Sequence, residues 1–161
     1  MLNYKLLKVN SRKGKMKKNM LTQHISIADL KQTKTGLKND PTSEDLDNLY
    51  LLSHLILEPI IRLVGHIQIT SGYRSPEVNI TVGGTINSDH LRGYAADFVA
   101  GQKNKLTTNE MYEMIRRSML TQIGQLILTI DHNKPHLHVS LPRRERKNGQ
   151  AIKKTGLKLK T

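Results

Sequence analysis

At 161 residues the chain suits one domain with extensions and is long enough to bury a core. It contains no cysteine, which excludes a disulfide framework and any thiolate metal site. The net charge is +13, and with no tryptophan and few other aromatics the core must be aliphatic.

That charge sits at the ends. Residues 1–20 carry seven Lys/Arg and no acid, and residues 141–161 carry eight against Glu145 alone, so the middle is close to neutral. Cationic ends attract polyanions, of which anionic wall polymers, lipopolysaccharide, acidic lipid and nucleic acid are the classes to weigh. Nucleic acid is disfavoured, because no recognition motif is present and side chains that stack on bases are few. The most apolar run, residues 49–65, holds His54, Glu58, Pro59 and Arg62, too short and polar to span a bilayer. The first residues show no apolar stretch of signal-peptide length.

In chain order, residues 1–19 form a basic extension and residues 20–142 the domain. After the short segment HISIADLKQ and a turn-rich GLKNDPTSED, Thr42 and Asp45 stand at capping-box spacing. Leu46, Leu49, Leu52 and Ile56 recur at helical intervals, and Pro59 is expected to end or kink that helix. HIQITS (66–71) reads as a strand, and GYRSPEVNITVGGTINS as a loop punctuated by Gly72, Pro76, Gly83 and Gly84. YAADFVA reads as a second strand, and residues 107–120 as a helix capped by Thr107 and Glu110. QLILTI (125–130) and HLHVSL (136–141) form a hairpin across DHNKP. Residues 143–161 read as a basic tail. The predicted class is α+β, helices packed on a small, mainly antiparallel sheet.

The chemistry concentrates in SDHLRGYAAD (88–97) and PHLHVSLP (135–142). Strand residues two apart share a face, so His136, His138 and Ser140 point one way, as do Ala95, Asp97 and Val99. An aspartate between Ala96 and Phe98 is costly to bury unless paired or bound to a metal. His90, Asp97 and one histidine of the downstream pair would supply three nitrogen or oxygen ligands, leaving the open fourth position of a catalytic zinc site. Seven histidines occur in all; His24, His54, His66 and His132 read as ordinary surface or core residues.

SGYRSPEVN, VGG, SDHLRGYAADF and HLHVS, in that order, resemble the zinc D-Ala-D-Ala carboxypeptidase family, which includes phage cell-wall endopeptidases and VanX-like dipeptidases. The pattern S-x-H-x-x-G-x-A-x-D is met by Ser88, His90, Gly93, Ala95 and Asp97. The resemblance covers roughly 20–142 and implies the compact α+β fold shared with hedgehog-type zinc domains. It further implies Zn2+ held by His90, Asp97 and His138, and Arg74 in the place of the substrate-binding arginine, with Ser88 beside it. Many members carry a glutamate three residues before the last zinc ligand; here that position is Pro135. Other members use a histidine two before it, which matches His136, and Asp131 is a second candidate for the general base.

The implied activity is hydrolysis of an amide in the stem peptide of peptidoglycan, as a D,D-carboxypeptidase or an endopeptidase such as a phage endolysin. The alternative is a catalytically degenerate virion or wall-binding protein with the same fold. The expected place of action is the bacterial cell wall or periplasm. With no signal peptide, the expected route is release through a phage-made pore or carriage in a virion.

Overall fold

The computed structural model of the chain describes residues 19–143 and 148–156. Residues 1–18, nearly the whole of the basic extension, lie outside them. At the first described residue, Asn19, the backbone is left-handed (φ 83°) and the carbonyl accepts from the Ile27 amide. Helix α1 (Ile27–Lys31) follows, with a capping box between Ser26 and Asp29.

Helix α2 (Ser43–Leu52) starts at the expected box of Thr42 and Asp45. Pro59 does not end the helical run. A π-helical turn over Ser53–Leu57 leads directly into α3 (Glu58–Val64), where Pro59 lies in the first turn. Proline lacks the N–H that the preceding turn needs, and widening that turn re-routes the hydrogen bonds without breaking the axis.

Strand β1 (Ile67–Ser71) is followed by a short helix α4 (Pro76–Thr81), inside the stretch read from sequence as a loop. The signal for it was present: Ser75 caps the helix by accepting from the Val78 amide, and Pro76 takes the first helical position. A 3-10 turn (Asp89–Arg92) leads into β2 (Ala95–Ala100). Helix α5 (Thr108–Met119) and the hairpin of β3 (Gln125–Asp131) and β4 (Lys134–Ser140) match the sequence reading. His132 and Asn133 both take positive φ, as a two-residue hairpin turn requires.

The C-terminal segment departs from expectation. Part of the supposed tail is a strand, β5 (Gln150–Gly156), which pairs parallel with β3. The sheet order is β1-β2-β4-β3-β5, antiparallel except for that last pair. The fold is α+β, as predicted.

One face of the sheet is the core. Phe98, Leu126, Leu128, Leu137 and Val139 are buried there with Leu49, Leu52, Ile56 and Ile60 of the α2–α3 run and Met111 and Ile115 of α5. The cluster is almost wholly aliphatic, as the composition demanded. The alternate residues of the strands point to the other face, where the polar constellation sits.

Candidate active site

Register brings the constellation together. Asp97 on β2 is the direct cross-strand partner of His138 on β4. A shift in the β1–β2 ladder between Ile69 and Ser71 puts Ser71 opposite Asp97. Ser71, Asp97, His138, Ile127 and Ile152 thus stand in one row across all five strands.

His90 reaches this row from the 3-10 turn. Ser88 caps that turn by accepting from the His90 amide (3.4 Å), and Gly93 closes it in the left-handed region at φ 69°. A Cβ on Gly93 would lie 2.6 Å from the Asp45 carbonyl oxygen, so both backbone angle and space require glycine there. Asp89 anchors the turn from its other side. Its buried carboxylate accepts from Arg143 Nη1 at 2.7 Å, and the Arg143 guanidinium stacks over Tyr94 at 4.9 Å.

His90 is 3% exposed, and its Nδ1–H donates to the Gly72 carbonyl at 2.6 Å. That bond fixes the tautomer and turns Nε2 toward Asp97 and His138. His90 Nε2, Asp97 Oδ1 and His138 Nδ1 form a triangle with edges of 3.2, 3.2 and 2.9 Å. Ligands 2.0–2.1 Å from a common tetrahedral ion would be about 3.3 Å apart, so the triangle has the dimensions of a zinc face. A neutral His90 directs a bare lone pair at a carboxylate oxygen and a second imidazole nitrogen, an arrangement that a cation relieves. Among the described residues these three form a group able to hold a metal ion.

Burial alone would raise the Asp97 carboxyl, but in the absence of an ion His90 and His138 in their protonated forms, by their charge and the hydrogen bonds they then donate, outweigh it and hold the group far below the usual carboxylate range. Its second oxygen, Oδ2, accepts from Arg74 Nη2 at 2.5 Å, and Arg74 Nε donates to Ser71 Oγ at 2.8 Å. Arg74 therefore belongs to the site, gripping Asp97, with Nη1 unengaged among the described residues.

A family described as Peptidase M15 matches residues 19–140. The chain belongs to the M15 peptidase family. M15 peptidases are zinc-dependent metallopeptidases, and the His90–Asp97–His138 triangle lies within the matched span. No curated protein matches the chain in sequence.

The remaining residues named from sequence fall at different distances from the triangle. His136 is half-buried on β4, two residues from His138 on the same face, and pairs with Thr129. Asp131 is not brought to the triangle. It lies four residues along β3 from Ile127, the partner of His138, roughly 13 Å by strand rise, and its carboxylate pairs with exposed His132 at 2.8 Å. Ser88 acts as a cap. Asn79, within α4, braces the chain that follows the helix, its Nδ2 donating to the Thr85 carbonyl. Sequence reasoning missed Ser71 and the Gly72 carbonyl, the groups that orient Arg74 and His90. Their only signal was adjacency to Arg74 in SGYR.

Proposed function

We propose that the chain is a zinc peptidase that hydrolyses an amide bond in the stem peptide of peptidoglycan, as a D,D-carboxypeptidase or an endopeptidase of the endolysin kind. The observation that carries this reading is the triangle of His90, Asp97 and His138, with ligand spacing suited to zinc, inside a span matched by the M15 family.

The triad would hold Zn2+ through His90 Nε2, Asp97 Oδ1 and His138 Nδ1. When bound, zinc supplies a Lewis acid for the scissile carbonyl and lowers the pKa of water to about 7. The Gly72 carbonyl keeps the His90 proton on Nδ1, so Nε2 stays a lone-pair donor. Arg74 holds Asp97 oriented, and its Nη1 would take the substrate carboxylate or the oxygen that gains charge. His136, about 7 Å along the strand from His138, is the residue we assign as general base, accepting a proton on an imidazole nitrogen and passing it to the leaving amine. Asp131 lies too far along β3 for that role.

The basic ends would hold the enzyme on anionic wall polymers, and action at the wall or periplasm follows from that substrate. Among the described residues no helix is long and apolar enough to cross a membrane. Digestion of purified muropeptides, read by mass, tests the reading. Chelator-sensitive release of a stem-peptide fragment supports it; zinc bound without turnover would leave a wall-binding protein with the same fold.

A further inference from the structure

Strand β5 lies outside the span that matches the M15 family, yet it extends the face that carries the triangle. Ile152 stands in the row of Asp97 and His138, two strands from His138. The next row runs His136, Thr129, Lys154. Ile127, Thr129, His136 and Ile152 are half-buried and Lys154 is exposed, whereas Leu126, Leu128 and Leu137 on the opposite face are buried. An apolar floor of Ile127 and Ile152 therefore leads from the triangle to one lysine. Among the described residues Lys154 forms no ion pair. The nearest carboxylate on this face by register, Asp131, pairs with His132.

We propose that β5 supplies a substrate subsite in which Lys154 binds a carboxylate on the peptide. The inference rests on the reading of the triangle as the reacting centre. Two strand spacings and two residues of rise separate Lys154 from His138, about 12 Å. The four-carbon stem of lysine bridges part of that gap, so its ammonium would meet an acidic group roughly two to three residues from the scissile bond. The ligand class is thus an extended acidic peptide. Lys153, the next residue, points to the opposite face, paired in register with buried Leu128, and provides a control of equal charge.

The test uses the full chain and two synthetic stem peptides, identical except that the α-carboxylate of the D-Glu residue is free or amidated. Binding and cleavage are measured for wild type, Lys154→Glu and Lys153→Glu. Wild type is expected to prefer the free carboxylate about two- to fivefold, as suits one exposed charge pair. Lys154→Glu should abolish or reverse that preference, and Lys153→Glu should change it less than twofold. Equal handling of the two peptides by wild type, or equal effects of the two variants, would overturn the subsite. If wild type binds with the Lys154-dependent preference but cleaves neither peptide, the subsite stands and the proposed hydrolysis falls. If it cleaves both equally, the hydrolysis stands and the subsite falls.

Discussion

Arg74 and Asp97 are joined at 2.5 Å through Nη2 and Oδ2, while the other carboxylate oxygen of Asp97 faces the two histidines. One carboxylate thus links an arginine to the candidate metal face. The guanidinium, with Nε on Ser71, fixes the plane of Asp97 before any ion arrives.

Removing that support should weaken the metal site without removing a ligand. Arg74→Ala is expected to lower zinc affinity about 10- to 100-fold, the usual effect of losing a hydrogen-bonding partner of a ligand. Arg74→Lys should recover only part, since an ammonium cannot serve Ser71 and Asp97 in the same fork. Competition with a chromogenic chelator measures both. Wild-type affinity in Arg74→Ala would show that the pair does not orient Asp97.

His136 is expected to act on the proton and leave the metal unaffected. His136→Ala should reduce kcat by about 10²- to 10⁴-fold with bound zinc unchanged. Asp131→Ala should stay within about twofold of wild type, because its carboxylate lies at the far end of β3. Steady-state kinetics with metal analysis by mass spectrometry decides between them. The reverse ranking would move the general base to the hairpin turn.

Gly93 carries the turn that delivers His90. Gly93→Ala meets both a positive φ and a close carbonyl, and should destabilise the fold by about 1–3 kcal/mol. Urea unfolding of the purified protein reads this directly. A Gly83→Ala control shares the positive φ (72°) but has open space around it, so it should cost less.

Glu58 ties α3 to the N-terminal loop through His24 at 2.8 Å. Burial raises its carboxyl, but the hydrogen bond from His24, the nearby Thr22 hydroxyl and the charges of His24 and Arg62 prevail and lower it below the ordinary value of 4.5. A group with a lowered folded pKa stabilises the fold fully above its unfolded value and loses that contribution as pH falls through the folded one. Wild type should therefore exceed Glu58→Gln by about 1–3 kcal/mol near neutrality, the range for a hydrogen bond to a charged group. The gap should shrink below about pH 4.5. Chemical denaturation at several pH values checks the trend; a gap independent of pH would contradict it.

Much of the site was legible because its residues sit in short, ordered motifs. The alternation of β4 already placed His138 on a polar face with His136 and Ser140, Asp97 stood out between Ala95 and Val99 on one face of β2, and register then made the two neighbours. The capping boxes at Thr42 and Thr107 marked both long helices. What escaped was set by tertiary context. Lys153, Lys154, Lys158 and Lys160 make the C-terminal segment read as solvated, and nothing local shows that residues 150–156 find a partner in β3. The role of Gly72 is a backbone carbonyl, which sequence does not single out. Pro59 signals a break by its own chemistry, and only the π-helical turn before it shows how the helix continues. The shift in β1 that sets Ser71 opposite Asp97 likewise has no local signature.

The most direct test of the triangle is a paired measurement on wild type and Asp97→Ala: bound zinc per chain, and muropeptide products by mass with and without chelator. Wild type should hold about one zinc and release a stem-peptide fragment only without chelator, as expected for three ligands with one open position. The variant should lose both the metal and the product. Equal hydrolysis in the presence of chelator, or full activity in Asp97→Ala, would contradict a metal centre built from His90, Asp97 and His138.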